Sequence, residues 1–463
     1  MGNGDISKQL VQFVTATRFG DIPVPIVEKT KRHILDTLGA GIAGAMSDEA
    51  AKLARVFDVA ETGGSCPLWA TGRTSGPRNA ALANGMAAHT FELDDTGGCD
   101  HSGAVVIPAA MAALALCDKP VSGQDFITAT VLGYDIARRA LEACGAYEAH
   151  NGTGWHSTST CGTFGAAAAA GFLLGLDTDA MQSALGLAAS SSSGLWAFIH
   201  DGAQSKRLHP GLAAEGGLLA ALLAREGFKG PHLIFDEVWG GFTNTFAPLT
   251  QQPEAWTHEL RVNWKMGRVS IKPYASCRGT HAAIDSLDSL IRQNNLVADD
   301  IAYIDVRLSA FLDGMCGGRV ADTLPAAQMS LPYALAARLV LGSAGLEAYR
   351  ADRRNNSDIA EILSRIILTV DAEQKPDEEP FVTIVTNDGD TLTERVEIPL
   401  GSPANPVSDE ALVAKYSNLG RMVWPETVVD ELAEKVLHLD TVQDMNEITA
   451  LLATPPVFSG IFS

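Results

Sequence analysis

The 463-residue chain lacks any run of positive charge, any CxxC pair and any uninterrupted apolar segment of the ~18 residues a membrane span requires. Its 34 Lys and Arg are outnumbered by 55 Asp and Glu, a formal charge of −21. Nucleic acid or an anionic membrane would therefore be repelled, and neither is expected as a partner. The seven cysteines form an odd set, and the one CxxxH spacing, Cys277 to His281, has no second pair. That pattern argues against a disulfide framework or a structural zinc and fits a reducing, cytoplasmic setting. The first nineteen residues are amphipathic and charged, unlike the apolar core of a secretion signal. GxxxxGK[ST], a GxGxxG after a strand and GxSxG are all missing, which removes support for phosphate-loop, dinucleotide-binding and serine-hydrolase functions.

What is present is helix-forming. Up to about residue 250 the chain repeats apolar stretches rich in Ala, Leu and Gly, among them ALANGMAAHTFEL, DFITATVLGYDIARRALEAC and AAEGGLLAALLARE. Several are apolar nearly all round, so the expected structure is a large bundle whose helices approach closely through small residues. After Pro248 the composition turns β-branched and alternating: LRVNWKMGRVSIKPY and IAYIDVRLSAF read as strands, and an Asn-Asp-Gly turn in EEPFVTIVTNDGDTLTERVEIPLG reads as a hairpin. Past Pro406 three short helical segments return. The fold class expected is mainly α with α+β: a large helical domain over 1–255, a smaller inserted α/β domain over 256–400, and a return to the helical domain over 401–463.

Four segments carry residues suited to proton chemistry. In FELDDTGGCDHSG, Glu92, Asp94 and Asp95 precede a Gly-Gly turn and His101; a carboxylate beside an imidazole raises its basicity and fixes its tautomer. Helix capping by Asp100 or Ser102 explains the same residue types equally well. The spacing offers no preformed metal geometry of the HxxxH kind. In NGTGWHSTSTCG, His156 stands at the mouth of a small-residue helix, although a lone histidine is more often an ordinary packed side chain. In HDGAQSKRLHPG, Lys206 and Arg207 are the first cations after Arg139, suited to a polycarboxylate or, for a desolvated lysine, to a base; the alternative is a solvated surface loop. In SIKPYASCRGTHAAID, Lys272 lies on a presumed strand, while Arg278 and His281, three apart, would share a helix face unless all three are plain surface charge. Tyr333, following a proline in an apolar helix, is by spacing alone a core residue.

Taken in order, ELDDT with HSGA, GWHSTSTCGTFGAAAA, SKRLHPGLAAEGGLLAALLA, IKPYASCRGTHAAID and QMSLPYALA resemble the MmgE/PrpD family over nearly the whole chain. That family includes 2-methylcitrate dehydratase, cis-aconitate decarboxylase and iminodisuccinate epimerase activities. The resemblance implies a helical domain with a smaller α/β domain, a homodimer, no metal or organic cofactor, and an active site between the domains. Carried over motif by motif, it implies site roles for Asp94, Asp95, Thr96, His101, His156, Lys206, Lys272 and Tyr333. Two places depart from the family pattern: His101-Ser102 replaces His-Pro after a short Gly-Gly-Cys-Asp loop, and Trp155-His156-Ser157 replaces Phe-His-Pro or Phe-His-Ala.

The expected chemistry is proton transfer at carbon next to a carboxylate. Lys206, Lys272 and Arg278 neutralise the substrate, with Arg207, His281 and Thr96 assisting in binding. His101, His156 and the lysines carry protons, Tyr333 donates, and Asp94 or Asp95 tunes His101. The expected reaction is a cofactor-independent epimerisation of an amino-polycarboxylate such as iminodisuccinate. A dehydratase or decarboxylase lyase is the alternative, and a non-catalytic polycarboxylate-binding protein is the alternative outside enzymes.

Overall fold

The computed structural model describes residues 4–60 and 63–457. It is mainly helical, with a small α/β part, as the composition and the resemblance both implied.

The helices of the first half form a densely packed bundle. Its central members are Val24–Gly44, Pro77–His89, Ser102–Leu114, Gly123–Ala143, Gly162–Leu173 and Ser205–Arg225. Pro77 starts its helix at the position where a missing N–H costs nothing. Ser122 caps the next-but-one helix by accepting from Asp125 N. Small residues do bring the backbones together, as the sequence suggested. A methyl built on Gly85 would lie 2.9 Å from Gly211 Cα and 2.8 Å from Ala104 O, so three helices meet there backbone to backbone. The apolar cluster of this bundle continues into Leu412, Tyr416, Val429 and Leu452, contributed by the C-terminal helices Asp409–Gly420, Glu426–Leu437 and Asn446–Leu452.

A second core lies in the segment between. Four strands are ordered Ile366–Asp371, Ile301–Ser309, Phe381–Thr386, Thr391–Glu394, the first pair parallel and the others antiparallel. The anticipated hairpin around Asn387–Gly389 is present. Helices His281–Asn294 and Leu331–Leu341 pack on this sheet.

The strand expected over 260–274 does not form. Trp264, Met266, Val269 and Ile271 are buried in the helical core, but the only ladder contact of the segment is an isolated bridge between Thr96 and Ser270. The alternation recorded one buried face without a strand to pair with. Among the described residues no disulfide forms, and no helix is long and apolar enough to cross a membrane. Residues 1–3 of the N-terminal segment read above lie outside the described residues.

Candidate active site

The helix Pro77–His89 ends in a turn that delivers its charges by backbone strain. Glu92 has φ +53° and Asp100 φ +99°, left-handed values that non-glycine residues adopt only where surroundings hold them there. For Glu92 the holding is done by lysines. Its carboxylate accepts from Lys206 Nζ and, at 3.2 Å, from Lys272 Nζ, which also donates to the Glu92 carbonyl at 3.1 Å. Lys206 lies in the first turn of Ser205–Arg225, not in a loop, and Pro210 withholds the helical hydrogen bond from the Lys206 carbonyl. Lys272 arrives on the segment fixed by the Thr96–Ser270 bridge, Thr96 N donating to Ser270 O at 3.0 Å and Ser270 N to Thr96 O at 2.7 Å. Asp100 is held by Thr96 Oγ1 at 3.0 Å.

Around this turn acids and imidazoles alternate. His89 Nε2 lies 3.5 Å from Glu92 Oε1, and its Nδ1 2.9 Å from Asp94 Oδ1. Asp94 Oδ2 lies 3.1 Å from His101 Nδ1, and His101 Nε2 lies 3.3 Å from Asp100 Oδ2. Asp100 Oδ2 is 3.9 Å from His156 Nε2, and the two Nδ1 atoms of His156 and His209 are 2.9 Å apart. His209 follows Lys206 by three residues on the same helix, so the series begins and ends beside one helical turn.

Burial and neighbours set the charges. Burial opposes ionisation of Glu92 and Asp94, but Lys206, His89 and Lys272 around the first, and His89 and His101 around the second, outweigh it and hold both carboxyls well below their usual range. Burial also opposes a charge on His101, yet Asp100 and Asp94 overcome it and raise the ring to about 9. For Lys272 the Glu92 and Asp94 carboxylates likewise overcome burial and raise its basicity. His156 has no such help: burial and the facing His209 push it well below the ordinary histidine value, and burial with His89 and Lys206 lowers His209 to about 4. Three carboxylates (Glu92, Asp94, Asp100) thus meet three cations (Lys206, Lys272, protonated His101) in a desolvated space.

The charges open on a cavity of about 460 Å³ between the bundle and the sheet-bearing part. His101, Lys206, Lys272, Thr96 and Arg278 line it; Asp94 and His156 stand behind His101 and Asp100, out of the lining. Arg207 faces a neighbouring cavity of about 420 Å³ that shares Glu92 and Lys206 with the first, and pairs with Glu49. Arg278 is held at 2.7 Å by Glu379.

Three expected site residues are placed elsewhere. The Asp95 side chain turns into the bundle, where Oδ1 accepts from Gly103 N (3.0 Å) and Oδ2 from the Tyr134 hydroxyl (2.5 Å); only its backbone carbonyl reaches His101 Nδ1, at 2.9 Å. Asp95 is the capping residue of the His101 junction, and Asp94 is the one that tunes the ring. The Tyr333 hydroxyl donates to Ala348 O at 2.7 Å in the second core, beside Tyr349, so it is committed to packing and does not face the cavity. His281 is buried against Tyr274, with Nε2 3.3 Å from Ser276 O, while Arg278, in the 3-10 turn just before it, reaches the cavity and Glu379.

Four participants were not among the candidates: His89, Glu92, Asp100 and His209. The FELDDTGGCDHSG motif by itself marks Glu92 only as an acid before the Gly-Gly turn and Asp100 only as a helix cap. His89 is in His-Thr-Phe-Glu, three before Glu92, and His209 is three after Lys206, so helical spacing held the signal for both. The clusters His89/Asp94/His101 and Asp100/His101/His156 also have the composition of metal ligands, with donor atoms within 4.8 Å of one another, a geometry that sequence spacing did not reveal. Both share His101, the ring that Asp100 and Asp94 make more basic.

A cavity between a helical and an α/β part, floored by paired lysines and a histidine held between carboxylates, defines a class. The chain belongs to the MmgE/PrpD family: residues 8–253 match the MmgE/PrpD N-terminal domain and residues 274–441 the MmgE/PrpD C-terminal domain. It is 31% identical over 473 residues to the cis-aconitate decarboxylase-like protein oryM of Aspergillus oryzae, covering 97% of this chain and 98% of that protein. It is 29% identical to a cis-aconitate decarboxylase of Aspergillus terreus (97% and 96% covered) and 28% identical to human cis-aconitate decarboxylase (97% and 95% covered). These relatives are lyases, which supports the lyase alternative and lends nothing to the isomerase expectation.

Proposed function

We propose that this protein is a lyase that decarboxylates an unsaturated polycarboxylate of the cis-aconitate type. The observation that carries this reading is the balanced set of three buried acids and three buried cations at and just behind one cavity wall, with protonated His101 held opposite charge-neutralising lysines.

In such a substrate a CH₂–COO⁻ group neighbours a C=C bond. As its C–C bond breaks and CO₂ leaves, the freed pair forms a new C=C bond, and the former alkene pair accumulates on the carbon next to another carboxylate. That carbon takes up one proton. Lys206 and Lys272, exchanging Glu92 for the substrate carboxylate, stabilise the developing charge. His101 supplies the proton, and Asp94 and Asp100 keep it charged beforehand. Full-length similarity to decarboxylases favours this product over others.

A charged His101 and a neutral His156 on either side of Asp100 also provide an acid and a base, which favours proton exchange without loss of carbon as a second reading. Separate incubations with cis-aconitate and with iminodisuccinate in D₂O, each followed by NMR and CO₂ detection, separate the outcomes. CO₂ release with one deuterium in the product supports the lyase. Exchange into iminodisuccinate without CO₂ supports the epimerase. Ligand-induced thermal stabilisation with neither marks a binding protein.

A further inference from the structure

The short Gly97-Gly98 loop marks one end of the cavity, and the cations around it are unequally matched by acids. Glu142, on the helix Gly123–Ala143, receives three of them: Lys265 Nζ on Oε2 at 2.8 Å, Arg138 Nε on Oε1 at 2.9 Å and Arg268 Nη1 on Oε1 at 3.5 Å. Burial opposes its ionisation, but Lys265 and Arg138 prevail and hold Glu142 below the usual carboxylate range. One carboxylate cannot neutralise three permanent cations. Lys265, nearly inaccessible and outside the cavity lining, meets one oxygen from behind, so the two guanidiniums that line the cavity share the other and are left in excess over it.

Both guanidiniums are aimed by the loop itself. Arg138 Nη1 donates to Gly98 O at 3.2 Å and Arg268 Nε to Gly97 O at 3.1 Å. Two glycines here place no side chain over them. The Arg138 side chain is only 6% exposed, so it is a built element of the wall rather than a solvated surface charge. The guanidiniums are close enough to oppose one another: burial and the neighbouring Arg138 lower Arg268. Like charges brought together beside a desolvated cavity are stabilised by an anion between them. The acids of the same cavity are otherwise placed. Glu379 is taken by Arg278 at 2.7 Å, Glu378 accepts from Lys375 N at 3.4 Å, Asp377 is exposed to water, and Glu148, which offsets Arg268 in part, is exposed as well.

We propose that Arg138 and Arg268 form a carboxylate subsite at the Gly97-Gly98 end of the cavity, holding a substrate carboxylate other than the one that replaces Glu92 on Lys206 and Lys272. The site therefore selects polycarboxylates with a carboxylate to spare beyond the reacting pair. This rests on the lyase reading for the identity of the reacting end, but the binding it describes does not depend on turnover.

The probe is tricarballylate, a saturated tricarboxylate with no C=C bond to react, compared with succinate and glutarate by calorimetric titration of the wild-type protein and of R138Q and R268Q. Tricarballylate binding tighter than either dicarboxylate in the wild type, and about tenfold weaker in each variant while the dicarboxylates change little, is the expected result. R138K, which restores charge without the forked donor, should recover only part of the affinity. Equal wild-type affinity for tri- and dicarboxylates, or unchanged tricarballylate binding in both variants, would overturn the subsite. R268Q keeps the test open if R138Q fails to fold, because Arg268 is half exposed. Selective loss of tricarballylate binding without CO₂ release from cis-aconitate leaves the subsite standing and removes the lyase; CO₂ release with unchanged KM in both variants does the reverse.

Discussion

Two buried histidines with ring centroids 6.3 Å apart, one lining the cavity and one behind it, meet opposite fates. His101 stands in the acid-rich turn 89–101 between Asp94 and Asp100 and is raised to about 9; His156 faces another imidazole and is driven well below the ordinary range. Burial is alike for the two, so the neighbours decide the sign. A fold can therefore keep a proton donor and a neutral imidazole within one buried cluster by choosing a carboxylate or a ring as the next neighbour.

The largest effect is expected where the acid side loses its anchor. E92Q leaves Lys206 and Lys272 buried without their carboxylate, which should cost about 3–5 kcal/mol of stability in chemical denaturation. Wild-type stability in E92Q would show that water or Asp94 already serves the lysines. Next comes the donor: H101N should lower the rate of CO₂ release by about 10²–10⁴-fold with the fold intact by circular dichroism. A smaller loss would move the donor to another group.

The comparison is sharpened by pH. His101 has a folded basicity above the free value of 6.5, so its stabilising contribution is complete below 6.5 and is lost as pH rises through about 9. Activity that needs its proton should fall over the same alkaline limb. D100N removes one of the two carboxylates and should shift that limb down by about 1–3 pH units in the rate profile and in the ring titration followed by NMR. An unmoved limb would assign it to a different group. The smallest effect belongs to Y333F: loss of the bond to Ala348 O should cost about 1 kcal/mol in the unfolding free energy and leave turnover unchanged.

Much of this was legible in the chain because helix burial has a local period. The bundle helices, the 381–394 hairpin and the strand Ile301–Ser309 follow their patterns. The 260–274 segment misled because alternation reports which side chains are covered, and here the cover is a helical core that supplies no backbone partner. At the site, His101, Lys206 and Lys272 were found because unusual residue types cluster in short motifs. Asp94 and Asp95 could not be told apart, since adjacent residues of one chemistry point opposite ways only once the turn is built. The pairing of Arg138 with Arg268 leaves no local trace, as 130 positions separate two residues that only the folded chain brings to one glutamate.

The contact between Gly85 and Gly211 has a mechanical consequence. Gly85 lies four residues before His89, and Gly211 lies five after Lys206 and two after His209, so the place where the two helices touch is also the pivot from which both sides of the cavity are set. With hydrogen atoms as the only spacers, the alignment of acid and base rests on main-chain dimensions and is not subject to side-chain rotation. A single methyl group at that pivot would act as a shim, shifting the charges relative to one another without touching any of them.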